Sequence, residues 1–168
     1  MITLTPITLE DAAPLWPLIQ DPALYTYTDD HRPHGQAAWQ SRVARWVAGA
    51  PADSGETWLN AVIRDRASGA PLGLVQATRE ADGRIWVGYR IGSTHAGRGV
   101  ATAALQAWLQ QLQDRWPAST VWASVDLRHA ASRRVLDKCG FVLDHTAPST
   151  VHGAPSEDAL YRFGPPGR

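Results

Sequence analysis

The stretch "RIWVGYRI", Arg84 to Ile91, sets Ile85, Val87, Tyr89 and Ile91 on alternate positions, and "HAGRGVATAAL", His95 to Leu105, follows almost at once. Period two marks a strand with one face in a core. Beyond the glycines the period changes. Ala101, Ala104, Leu105, Trp108, Leu109, Leu112 and Trp116 recur at three- and four-residue intervals until Pro117 stops the run, the pattern of an amphipathic helix. "TVWASV", Thr120 to Val125, then predicts another strand. Strand, helix and strand in that order form a right-handed crossover, so the two strands lie parallel in one sheet.

The remaining elements are arranged around this unit. Thr8 with Asp11 three residues later resembles a capping box and predicts a helix from near Leu9, made irregular by Pro14 and Pro17. "QAAWQSRVARWVA", Gln36 to Ala48, puts Trp39, Val43, Trp46 and Val47 on one helical face. "TWLNAVIRD" and "PLGLVQATR", joined through "ASG" and ended by Asp82-Gly83, predict antiparallel strands. A short helix over Ala130 to Lys138 ends at Gly140, a residue suited to the left-handed cap. "FVLDH" and "ALYRF" are expected to close the sheet. "GAPADSG" and the tail "GPPGR" are the Pro/Gly-rich places, and no repeat or linker divides the chain.

Composition narrows the function classes. A chain of 168 residues with 44% hydrophobic content suits one domain over 1–168, burying about 70% of the surface its unfolded form exposes. Sixteen basic residues balance sixteen acidic ones, so no overall field draws in nucleic acid or a membrane surface. The single Cys139 gives neither a disulfide framework nor a zinc cluster, as expected in a reducing cytosol. "MITLTPITLEDAAPLW" lacks a charged start followed by an apolar block, and a cytoplasmic location is expected. Monomer and homodimer are both compatible with the sequence. Eight tryptophans are expected mainly in the core or at its edge.

The glycine turn has two readings. Gly97 and Gly99 followed by Thr102 break the dinucleotide triplet, and "GRGVAT" has no Lys-Ser/Thr ending for a nucleoside triphosphate. What remains is backbone free to approach a ligand, with amides at the helix start converging on an anion. The alternative is a tight strand-to-helix connection with Arg98 solvated.

"IGSTHAGRGVATAAL", the later "HAASRRVLDKCGF" and the order of elements resemble the GNAT superfamily of N-acetyltransferases, in its RimJ/RimL-like branch. The resemblance covers most of the chain and is weakest before Thr57. It implies a mixed, mostly antiparallel α/β sheet whose central parallel pair splays to admit acetyl-coenzyme A, flanked by about four helices. The family's turn reads Q/R-x-x-G-x-G/A. Ala96, Gly97, Arg98, Gly99, Val100 and Ala101 occupy those places, with Ala96 departing from Gln or Arg, and Thr102 follows. Their amides would hold the pyrophosphate. By the same spacing Ile91 would bond the pantetheine arm and the Tyr89 N–H would hold the thioester oxygen. The second motif, commonly N-x-x-S ahead of K-x-G-F, is met by Ser132 and "KCGF", with His129 where Asn is usual. His129 reads either as a contact to the cofactor arm or as a helix-start residue facing solvent.

The reaction implied is direct attack of a neutral amine on the thioester, with Ser132 the candidate acid for the departing thiolate. Trp86 and Ala103 stand where the branch often shows glutamates. A site short of acids favours an acceptor that is neutral without help. At pH 7 an α-amine is roughly one-seventh neutral and a lysine side chain about 0.04%, so an α-amine on a peptide end or small metabolite is expected. "YTYTDDHRPHG" is expected to shape the acceptor pocket, with Asp29 or Asp30 drawing an ammonium, Tyr25 or Tyr27 as a wall, and Trp86 nearby. His31 and His34 hint at a metal, but Pro33 breaks the segment and no metal is expected. The rival class is a catalytically silent acyl-coenzyme A binding module, and a nucleotide-dependent enzyme comes after it.

Overall fold

The structure is a computed structural model that describes residues 1–164, so the tail "GPPGR" lies outside the described residues except for its first, Gly164. One seven-stranded sheet runs β1 (Ile2–Pro6), β2 (Thr57–Asp65), β3 (Pro71–Arg79), β4 (Ile85–Ile91), β5 (Val121–Asp126), β7 (Ala154–Phe163), β6 (Val142–Val151). Every neighbouring pair is antiparallel except β4 and β5, which are parallel. The helices are α1 (Ala12–Ile19), α2 (Gln36–Ala48), α3 (Val100–Arg115) and α4 (Ala130–Lys138). The parallel pair expected from the crossover and the mixed, mostly antiparallel α/β sheet implied by the resemblance are both observed, and α2, α4, β2 and β3 begin and end where the sequence pattern puts them.

Alternation along β2 and β3 sorts side chains into two cores. Ala61, Ile63, Val75 and Ala77 join Leu105, Trp108 and Leu112 of α3 in the larger one. Val62 and Leu74 meet Leu15 and Ile19 of α1 and Trp39 and Val43 of α2 on the other face. Both faces are therefore covered, which explains three consecutive buried residues, Ala61 to Ile63. The α1–α2 contact is fixed by a polar bond as well: the Trp39 indole N–H donates to the Ala12 carbonyl at 2.8 Å. The Thr8 N–H donates to Asp11 Oδ2 at 2.9 Å, as the capping pattern predicts, and the helix opens with a 3-10 turn over Leu9–Asp11. Asp11 also pairs with Arg64 of β2, tying this helix start to the sheet.

Three features depart from the sequence expectation. The strand β1 was not expected, although Ile2 and Leu4 alternate with Thr3 and Thr5; five residues ended by Pro6 suit a short edge strand. Strands β6 and β7 each extend to ten residues, well beyond "FVLDH" and "ALYRF". Strand β6 is mostly exposed, so it carries no apolar alternation to read, and as an edge strand it tolerates Pro148. A two-residue turn at His152 (φ 51°) and Gly153 (φ 76°) joins the two, the left-handed pair a tight hairpin requires. Finally, Val47 is 43% exposed: the buried stripe of α2 consists of Trp39 and Val43, with Trp46 packed beside them.

Among the glycines of the sheet, Gly73 marks the tightest approach. A Cβ placed there would lie 2.1 Å from the carbonyl oxygen of Arg90 on β4, so β3 and β4 must separate to accept any side chain. Gly73→Ala is expected to lower unfolding stability by about 1–3 kcal/mol, measured by urea denaturation; an unchanged midpoint would show that the two strands part freely.

Candidate active site

The parallel register between β4 and β5 covers Ile85↔Val121 and Trp86↔Trp122 and goes no further. Each strand remains fully paired on its other side, β4 with β3 and β5 with β7. The two therefore diverge as a wedge whose inner edges carry backbone polar groups. The Ile85 N–H donates to the Thr120 carbonyl at 3.2 Å. Because N–H direction alternates along a strand, the amides of Val87, Tyr89 and Ile91 point to that same edge. Tyr89 and Ile91 lie past the last register position shared with β5.

A cavity of about 500 Å³ fills the wedge, lined from β4 by Val87 to Arg90 and from β5 by Ala123 to Asp126. It passes through the sheet, reaching Ser132 and Leu136 of α4 on one side and Tyr27, Thr28 and Asp29 on the other. Tyr89 crosses to α4: its hydroxyl lies 2.7 Å from Ser132 Oγ, where either oxygen can donate, and donates to the Ser132 carbonyl at 3.1 Å. Burial pushes the Tyr89 phenol up to about 12, so the pair keeps its protons across the neutral range. His129 precedes α4, lines the same cavity and stacks on Tyr27 with ring centroids 4.6 Å apart. It is half-buried, and burial lowers its pKa toward the neutral imidazole; it is not the solvent-facing residue of the alternative reading.

The glycine turn lies at the open start of α3, outside the cavity lining. Gly97 (φ 74°) and Gly99 (φ 78°) are both left-handed, a conformation other residues adopt at a cost. The first α-helical bond is from the Ala103 N–H to the Gly99 carbonyl at 3.0 Å, so the amides of Val100, Ala101 and Thr102 have no acceptor within the helix. No side chain caps this end and no acid stands in its first turn. Arg98 is exposed beside it. The arrangement fits an anion better than a closed turn would.

Three acceptor-side expectations are corrected. Tyr25 is 5% exposed and its hydroxyl donates to the Ile19 carbonyl at 2.9 Å, so it packs the interior instead of walling a pocket. Asp30 is claimed by Arg90 and by Arg42 and has no charge to spare for an ammonium. Trp86 faces Trp122, centroids 5.9 Å apart, and does not line the cavity. Tyr27 and Asp29 do line it, with Asp29 accepting from Thr150 Oγ1 at the tip of β6.

The sequence reading missed Ser124, Asp126, Ser149 and Asp158, which all face the cavity. Only Ser124 carried a signal, as the exposed position between buried Ala123 and Val125 on β5; on β7, Ser156, Glu157 and Asp158 follow one another without alternation. The premise of a site without acids thus fails. Cys139 is buried, and burial pushes its thiol up to about 11, so it stays protonated and inert as a nucleophile. Among the described residues no group of three or more His, Cys, Asp or Glu is placed to hold a metal ion, and no helix is long and apolar enough to cross a membrane.

Solved structures share this fold. RimJ from Mycobacterium smegmatis, in complex with CoA-disulfide, superposes with a TM-score of 0.84 at 24% identity, covering 96% of this chain and 81% of that one. Ribosomal-protein-S5-alanine acetyltransferase from Vibrio fischeri gives 0.82 at 19%, covering 96% and 92%. An acetyltransferase from Salmonella typhimurium that modifies the N-terminal serine of ribosomal protein L7/L12 gives 0.83 at 15%, covering 96% and 94%. No curated protein matches the sequence. The model of the acetyltransferase (GNAT) domain matches residues 1–142, a span that contains β4, the glycine turn, β5 and α4. On that match the chain belongs to the GNAT family and is an acetyltransferase.

Proposed function

We propose that this protein transfers an acetyl group from acetyl-coenzyme A to a primary amine, in the manner of the RimJ/RimL-like branch, with the α-amine of a peptide end or a small metabolite as acceptor. The observation that carries the proposal is the wedge between β4 and β5, with the open amides of α3 at one end of β4 and the Tyr89–Ser132 pair beside it. Ala96 to Thr102 would receive the pyrophosphate, with Arg98 adding a charge-assisted contact. Ile91 and Tyr89 would present their amides to the pantetheine arm and the thioester oxygen, and His129 would border the arm. The bound thioester supplies an activated acetyl group.

The residues then divide the work. The Tyr89 N–H stabilises negative charge on the acetyl oxygen as the nitrogen bonds to carbon. The Ser132 hydroxyl, backed by Tyr89, donates to the sulfur as the carbon–sulfur bond breaks; the proton gained by sulfur balances the one lost by nitrogen. Holding both reactants in one slot accounts for roughly 7–11 kcal/mol of the barrier, more than the ~3–5 kcal/mol of a base or acid. An amine acceptor, and not a hydroxyl, suits a cavity edged by Asp29, Asp126 and Asp158. A neighbour in fold that modifies the N-terminal serine of ribosomal protein L7/L12, beside one named for an alanine of ribosomal protein S5, supports the α-amine.

A panel of amines with acetyl-coenzyme A, followed by free-thiol release, tests the proposal. Release with α-amines exceeding that with lysine side chains is expected; tight binding of acetyl-coenzyme A with no release for any amine would favour the silent binding module. Arg98→Glu is expected to weaken acetyl-coenzyme A binding by about 10-fold or more with an unchanged melting temperature, read by calorimetry; equal affinity would remove Arg98 from the phosphate site. Ser132→Ala is expected to lower kcat about 10²-fold while leaving cofactor affinity near that of the wild type, and an equal loss in Tyr89→Phe would identify the pair as one unit.

A further inference from the structure

Resting on that reading of the site, we infer that Asp158 is a catalytic residue: its carboxylate receives the acceptor amine in the cavity and takes the proton its nitrogen sheds. Four aspartates stand around the acceptor end, and three are already engaged. Asp30 is held by Arg90 and Arg42. Asp126 takes Arg128 through both carboxylate oxygens and the Ser156 hydroxyl at 2.6 Å, and these contacts hold its carboxyl well below the usual range. Asp29 accepts from Thr150 and, at 3.4 Å, from the Gly153 N–H at the rim.

Asp158 differs in kind. It lines the cavity from the middle of β7, and its partners are two neutral hydroxyls, Ser124 Oγ at 2.6 Å on Oδ2 and Ser149 Oγ at 2.8 Å on Oδ1. Among the described residues no Lys, Arg or His lies within ion-pair distance of it. Each oxygen keeps a lone pair beyond the serine it accepts from. The backbone fixes the group firmly, since Asp158 is paired with Asp126 on β5 and Ala147 on β6. That register sets two acids directly across from each other, which destabilises a sheet, and Arg128 answers only one of them. A local rule broken inside a cavity is where function is to be sought.

The carboxylate attracts the acceptor's ammonium by charge, and loss of a proton to water leaves the neutral amine hydrogen-bonded in place. As the nitrogen lone pair bonds to the acetyl carbon, the nitrogen takes on positive charge, and its N–H grows more acidic, most of all as the carbon–sulfur bond breaks and the nitrogen becomes that of an amide. Asp158 takes that proton as the amide forms, and the proton leaves to solvent after the amide departs. Atoms balance: nitrogen gains the acetyl group and loses a proton, and sulfur gains one.

The test uses the full-length protein and the amine that the wild type acetylates fastest in the thiol-release panel. Asp158→Asn keeps the shape and one acceptor; it is expected to lower kcat/KM for that amine about 10²-fold and to weaken amine binding in calorimetry, with acetyl-coenzyme A affinity within twofold of wild type. Asp158→Glu is expected to recover at least tenfold over Asp158→Asn, which a purely structural role would not produce. Wild-type rates in Asp158→Asn, or a Glu variant no better than Asn, would overturn the assignment alone. Absence of thiol release by the wild type with every amine would overturn the acetyl-transfer reading and this inference with it.

Discussion

Everything at the centre of this molecule follows from a parallel strand pairing that stops after two residues on each side. The cause lies in the flanking pairs: β3 holds β4 along its whole length and β5 is held equally by β7, so each half of the sheet twists with its own partners. A sheet that parts in this way leaves amides on inner edges that are costly to bury unpaired. Those amides can face water or a ligand, and the surrounding side chains are arranged for the second. Tyr89 reaches across to α4, and its buried phenol is satisfied by Ser132.

The wedge also explains why the chain needs two cores. The larger core, beneath α3 and α4, runs under both halves of the sheet and includes Ile85, Val121 and Ala159. The smaller one, beneath α1 and α2, draws its strand residues from β2 and β3. The sheet can therefore open on the α1–α2 side without dividing the domain, because α3 and α4 bridge the split from the opposite face.

The parts of this design visible in the sequence were those with strong periodicity. Ile85 to Ile91, the α3 stripe and Gln36 to Ala48 each bury one face and so repeat at a period that can be counted. The exposed β6 has no such face, and β1 is short enough to pass for an irregular start. In the site, Gly97, Gly99, Ser132 and His129 were legible because their motifs are contiguous. Asp158 was not. Its meaning depends on Ser124 from β5 and Ser149 from β6, and only the sheet order brings those three together. Asp30 and Tyr25 misled for the complementary reason: their spacing near a pocket is readable, but Arg90 and the Ile19 carbonyl, which claim them, are contributed by other elements.

One contrast in how the cavity is built bears on descent. The glycine turn, Tyr89 and Ser132 belong to a stretch of fewer than fifty residues, all tied to one crossover. The opposite mouth is stitched from segments far apart in the chain: Asp29 meets Thr150, the Tyr25 carbonyl meets the His152 ring at 2.8 Å, and Tyr27 covers His129. Substitutions in the early loop or at the hairpin tip can reshape that mouth without disturbing the crossover. Such a division lets lineages exchange clientele while retaining their donor, and it makes the His152-Gly153 corner the place where diverging specificities would first leave a mark.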